Sequence, residues 1–123
     1  MGEVTFVRID HIQLAMPAGE EDRAREFYGG VLGLHEVAKP AALTKRGGCW
    51  FRSGDVYLHL GVDAEFRPAT KAHPAFRIAD YDGFVKRLSE RGVRIVLDEI
   101  PFDGKPHCYF ADPFGNRIEV IAE

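Results

Sequence analysis

Four side chains able to bind a divalent cation, His11, His59, His73 and Glu119, stand at matching places in the two halves of this 123-residue chain. His11 and His73 are 62 positions apart (73 − 11) and His59 and Glu119 are 60 apart (119 − 59), so a repeated unit carries two donor positions per copy. Three imidazoles and one carboxylate suit borderline and harder divalent ions, Zn²⁺, Ni²⁺, Co²⁺, Fe²⁺ or Mn²⁺, and disfavour metals that prefer thiolates. A lone histidine is more often a surface or hydrogen-bonded residue. Four donors on four separate strands, at repeat-related positions, argue for a metal site.

The elements that must carry these donors follow from hydropathy period and turn residues. Residues 6–16 alternate with period two and run into Pro17-Ala18-Gly19, a strand followed by a turn. Ala24, Phe27, Tyr28, Val31 and Leu32 form one apolar stripe of a helix over residues 20–32, with Gly33 as its stop. Short strands follow at about 34–38, 47–52 and 55–61, separated by the turn signals Lys39-Pro40, Gly47-Gly48 and Ser53-Gly54-Asp55. Beyond Arg67-Pro68 the order recurs. A strand at 72–79 leads to a helix from about 81 to 91, and strands lie near 93–97, 106–111 and 116–122. Asp80 is the expected N-cap, Tyr81, Phe84, Val85 and Leu88 the buried stripe, and Gly92 the stop. The expected fold class is α+β, with two βαβββ modules at about 6–62 and 72–123 in a single domain.

Parity then assigns each strand residue to a side of its sheet. Ile12 and Leu14 oppose His11 and Gln13. Val56, Leu58 and Leu60 oppose Tyr57 and His59, Phe76 and Ile78 oppose His73 and Arg77, and Ile118 and Val120 oppose Arg117 and Glu119. The apolar sets pack under helices on the outer face. The other face becomes a cup lined by His11, Gln13, Tyr57, His59, His73, Arg77, Arg117 and Glu119. Burying so many polar groups dry is costly, which favours metal, water or substrate there.

Bulk properties narrow the partners. A content of 46% hydrophobic and 28% charged residues is ordinary for a globular domain. The net charge of −3 and the scattered basic residues provide no stripe that could neutralise a phosphate backbone, so neither nucleic acid nor membrane is an expected partner. The opening Met1-Gly2-Glu3-Val4 lacks a positive n-region and a long apolar run, and the cytoplasm is the expected location. Cys49 and Cys108 lie in no CxxC motif and read as buried free thiols.

With Asp10-His11-Ile12, the helix end Phe27-Tyr28-Gly29-Gly30-Val31-Leu32-Gly33-Leu34, the strand Val56-Tyr57-Leu58-His59-Leu60 and the closing Asp112-Pro113-Phe114-Gly115-Asn116-Arg117-Ile118-Glu119, the whole chain resembles the vicinal oxygen chelate superfamily. That group includes glyoxalase I, extradiol dioxygenases, fosfomycin-resistance transferases, methylmalonyl-CoA epimerase and bleomycin-resistance proteins. The resemblance implies paired βαβββ modules forming a cupped mixed sheet, with ligands on the first and last strand of each. His11 and His59 match the first module's positions, and His73 and Glu119 the second's. It also implies a homodimer in which each site takes one module from each chain. His59 stands where glyoxalase I commonly has glutamate, and Ala15 where bacterial forms place an arginine that contacts glutathione, so glutathione–methylglyoxal chemistry is disfavoured. Bleomycin-resistance proteins typically lack the metal ligands, which argues against a purely sequestering role.

Four ligands on an octahedral ion leave two neighbouring positions, enough for a substrate chelating through adjacent oxygens but not for O₂ as well. The expected function is therefore a metal-dependent, glyoxalase-like lyase or isomerase acting on a small molecule. A dioxygenase or antibiotic-modifying transferase with three ligands, or a non-catalytic binding protein, are the alternatives. Glu119 is the expected ligand with, by resemblance, a switch to general base, and Tyr109 or Tyr57 a proton or hydrogen-bond donor, with Tyr109 preferred. Arg77 and Arg117 are candidates for a substrate carboxylate or phosphate, and Gln13 and Tyr57 for other substrate contacts. His107, after Pro106, is read as exposed, with orientation of a ligand or shuttling of a proton as its alternative roles. His35 is expected at the surface, and Trp50, Phe51 and Phe102 in the core or in an apolar pocket wall.

Overall fold

In the computed structural model, which describes residues 2–123, each half of the chain builds its own four-stranded sheet. Strands β1 (Ile12–Met16), β2 (His35–Val37), β3 (Cys49–Ser53) and β4 (Val56–Val62) are ordered β1-β4-β3-β2. Strands β5 (Ala75–Ile78), β6 (Val96–Leu97), β7 (His107–Ala111) and β8 (Arg117–Ala122) repeat that order as β5-β8-β7-β6. In each sheet the first strand runs parallel to the last and the other pairs are antiparallel. His59 and Glu119 thus lie on β4 and β8, each next to an edge strand, His11 and His73 lie just ahead of the edge strands β1 and β5, and β1 and β5 each keep one side open.

Helix α1 begins at Glu21–Ala24 and continues as a π-helical stretch, Arg25–Val31, where the Leu32 N–H reaches the Phe27 carbonyl at 2.8 Å. Glu21 and Asp22 in its first turn complement the positive end of the helix dipole. Helix α2 (Tyr81–Glu90) has Asp80 as N-cap, its side chain accepting from the Gly83 N–H at 3.1 Å, and Gly92 follows with φ of +77°. Both caps match the sequence reading. A 3₁₀ segment at Ala41–Arg46 was not anticipated.

Leu14, Met16, Tyr28, Phe51, Leu58 and Leu60 from the first module pack in one core with Leu88, Phe110, Ile118 and Val120 from the second. The modules therefore meet through their helix-covered faces. Polar contacts fasten that seam: Tyr28 donates to Asp112 Oδ2 at 2.7 Å, Asn116 Nδ2 donates to the Ala15 carbonyl at 2.8 Å, and Arg87 and Arg91 cap the carbonyls of Gly30 and Val31 at the end of α1. Asp112 Oδ1 also accepts from the N–H groups of Phe114 and Asn116, so the Asp112–Asn116 motif is a folded knot at the seam.

The first strand begins at Ile12, not at residue 6 as the alternation suggests. Ile12 pairs with Leu58, and β4 begins at Val56, so residues ahead of Asp10 run past the end of their neighbour. Val4, Phe6, Val7 and Ile9 stand exposed, Phe6 at 92%.

Candidate metal centre

The second module gathers its donors around Glu119, a carboxylate only 5% exposed. His73, just ahead of β5, places Nε2 3.0 Å from Glu119 Oε1, and its Nδ1 lies 2.8 Å from the Lys71 carbonyl. A carbonyl oxygen only accepts, so Nδ1 carries the hydrogen and neutral His73 presents an Nε2 lone pair to a carboxylate oxygen. Two acceptors at that distance require a shared cation or proton between them. This is the arrangement in which a metal-binding imidazole is oriented through its other nitrogen.

His107, expected at the surface, is instead 5% exposed. Its Nε2–H donates to the Ile100 carbonyl at 2.7 Å, and Nδ1 lies 2.6 Å from Glu119 Oε2. The reading missed this because the segment after β6 folds back over the β7 face and supplies Ile100. The signal was parity: His107 and Tyr109 share a face of β7, and Tyr109 is the direct cross-strand partner of Glu119. The Ile100 carbonyl foremost, then Glu119 and Asp98, raise the His107 pKa and favour imidazolium. Burial, followed by the Glu119 charge, raises the Tyr109 phenol. The Tyr109 ring stands edge-on to both His73 and His107, with the Arg117 guanidinium 3.9 Å from its centroid.

The first module holds its pair differently. His11 Nδ1 donates to Asp10 Oδ2 at 2.9 Å, leaving Nε2 with its lone pair in the neutral ring, the same division of roles as in His73. The His11 ring stacks on His59 at 4.2 Å between centroids, and Trp50 covers the other face of His59 at 3.8 Å with an interplanar angle of 1°. Trp50 is the direct cross-strand partner of His59, so register, invisible in the one-dimensional pattern, is what links them. Burial, then the neighbouring His11 charge, lowers the His59 pKa. Gln13 lies opposite His59 on β1, and a Cβ at Gly61 would come within 2.5 Å of its Nε2, so glycine there leaves Gln13 its place.

Within one chain the four donors form two pairs. Among the described residues, no three His, Cys, Asp or Glu side chains are grouped so as to hold one ion. A cleft of about 820 Å³ lies at the seam and is lined by Leu34, Val56, Phe76, Phe84 and Arg87, with none of the four candidate donors in its wall. A smaller hollow of about 160 Å³ lies beside Gln13, Trp50 and Gly61. Arg77 bonds the Ala122 carbonyl and lies over Phe102, whereas Arg117 has no carboxylate partner among the described residues. Tyr57 packs near Arg52.

The profile of the glyoxalase/bleomycin resistance protein/dioxygenase superfamily matches residues 8–120. The chain belongs to this superfamily. A glyoxalase family protein from Bacillus anthracis is 43% identical and superposes with a TM-score of 0.94 over 99% of each chain. A glyoxalase/dioxygenase from Nostoc punctiforme is 26% identical with a TM-score of 0.75, covering 100% of this chain and 98% of the other. FosX, a fosfomycin resistance protein from Listeria monocytogenes, shares the fold at 16% identity with a TM-score of 0.76, covering 97% and 95%. No curated protein matches in sequence. Members of this glyoxalase-like, vicinal oxygen chelate superfamily generally depend on a divalent metal, bind small molecules and often form dimers. No helix among the described residues is long and apolar enough to cross a membrane.

Proposed function

We propose that this protein is a metal-dependent, glyoxalase-like lyase or isomerase of the cytoplasm, acting on a small substrate that binds through two adjacent oxygens. Its unit is a homodimer in which His11 and His59 of one copy complete a site with His73 and Glu119 of the other. The supporting observation is the 3.0 Å approach of His73 Nε2 to Glu119 Oε1 while His73 Nδ1 is engaged by Lys71, two lone pairs facing the position a cation would fill. The division of the donors into two pairs, each on an open-edged β1–β4 or β5–β8 ladder, supports a site shared between copies.

A divalent ion held there would polarise a substrate oxygen and acidify the adjacent carbon. Glu119 and Tyr109 are the groups able to take or return that proton, and Tyr109 lies across the strand pair from Glu119. Arg117, stacked on Tyr109 and free of a carboxylate partner among the described residues, is the better placed of the two candidate arginines to meet an anionic substrate group. Gln13 and Tyr57 would line the other wall.

Elemental analysis of untagged protein tests the metal. One first-row ion per chain is expected, and none after supplementation would favour a non-catalytic binding protein. Exchange of the substrate's acidic C–H with solvent is expected in the wild type. Its absence in a metal-loaded protein would turn the reading to the three-ligand dioxygenase or transferase. That alternative is favoured by one observation: His59 has Trp50 on one ring face and His11 on the other. Retained metal and activity in His59→Ala would support it.

A further inference from the structure

His107 is buried, bonded to Glu119 Oε2 on one side and to the Ile100 carbonyl on the other, and is no part of the donor set above. We infer that His107 is a positioning residue that holds Glu119 by one oxygen, so that Oε1 alone faces His73 Nε2 and the cation position; this rests on the metal-site reading above.

The geometry carries the inference in three steps. First, a free carboxylate rotates about its terminal bond and can present both oxygens to one ion. The 2.6 Å contact with His107 removes that freedom and fixes which oxygen is turned toward His73. Second, the imidazole is itself held. Its Nε2–H is committed to Ile100 and its ring is packed on β7 next to Phe102, so it cannot follow a carboxylate that swings away. Third, were Glu119 to hold an ion through one oxygen only, it would leave free a position that two-oxygen binding would fill, and a substrate chelating through adjacent oxygens would need that position. The bond to His107 holds the Glu119 carboxylate in place, which favours Tyr109 over Glu119 as the group that moves a proton.

The test uses two variants and Co²⁺ as the probe, with affinity measured by competition against a chelator on the full-length protein. His107→Phe keeps a planar aromatic ring and removes both ring nitrogens. His107→Asn keeps an N–H close to the position of Nδ1 but loses the bond to Ile100. The expected result is a Co²⁺ affinity about 10- to 100-fold weaker in His107→Phe, with Co²⁺ stoichiometry unchanged, and within about threefold of wild type in His107→Asn. Rescue by Asn separates positioning from general damage, because Asn repairs only the carboxylate contact. If His107→Phe does not fold, His107→Ala takes its place with the same expected loss. Wild-type affinity in the variant lacking the donor, or equal loss in it and in His107→Asn, would overturn the inference while leaving the metal site standing. Failure of wild-type protein to bind Co²⁺ would overturn both.

Discussion

The two modules share an element order and a pair of donor positions, yet they hold those donors by different forces. In the second, Glu119 is clamped between His73 and His107, both imidazoles are tied to backbone carbonyls, and the carboxylate is buried. In the first, His11 lies at the end of an exposed arm, bonded only to Asp10 and stacked on His59, which itself rests on Trp50. Directional hydrogen bonds fix both position and orientation, whereas stacking fixes a plane and leaves in-plane rotation open. The second module is therefore the prepared half of the proposed site. The first is the adaptable half.

The largest effect expected of this difference is in metal binding. His73→Ala or Glu119→Gln should weaken Co²⁺ affinity by more than about 100-fold, beyond the loss usual for an outer-sphere contact, and His59→Ala should weaken it less. Calorimetric titration of the three variants ranks the modules, and equal losses would erase the distinction. Next in size, Asp112→Ala strips the acceptor shared by Tyr28, Phe114 and Asn116 at the seam and should cost about 3 kcal/mol or more in urea unfolding. Because that knot joins both modules, unfolding should remain a single transition.

A smaller contrast lies in titration. His107 is shifted above the ordinary value of 6.5 by its carbonyl and carboxylate partners, and His59 below it by burial. Stability contributed by His107 is complete below 6.5 and lost as pH rises through its higher folded value. That contributed by His59 is present above 6.5 and lost as pH falls through its lower folded value. Nitrogen-resolved NMR of the metal-free protein should show His59 titrating at lower pH than His107; the reverse order would contradict the assigned contacts. Smallest of all, Trp50→Leu should remove about 1 kcal/mol of stacking, alter the His59 resonance and leave His107 unchanged.

How much of this the residues disclosed depends on whether a feature is local. Turn and cap chemistry is local, and Asp80, Gly33 and Gly92 marked their helix ends correctly. Period two placed Leu14, Leu58, Leu60, Ile118 and Val120 in the core, where they are buried, but Val56, assigned to the same set at the start of β4, is 45% exposed, and His59 and Glu119 on the opposite parity are buried too. The alternation of residues 6–11 resembles a strand but cannot report whether a neighbour exists, and within one chain the parallel partner β4 begins only at Val56, too late to provide one. The π-helical turn through Gly29 and Gly30 depends on carbonyl caps from Arg87 and Arg91, more than 50 residues away. His107 and Trp50 were legible as aromatic or ionisable residues, but their places beside Glu119 and His59 come from cross-strand register and from a segment folding back, which composition does not encode.

The claim that one copy's adaptable half meets another's prepared half is tested most directly by mixing two inactive proteins. Glu119→Gln keeps an intact first module and His11→Ala an intact second, so neither alone should bind Co²⁺ tightly. Exchange of subunits should restore one tight Co²⁺ site per mixed dimer. If mixing restores none while each variant is folded and dimeric, the site is not shared between copies.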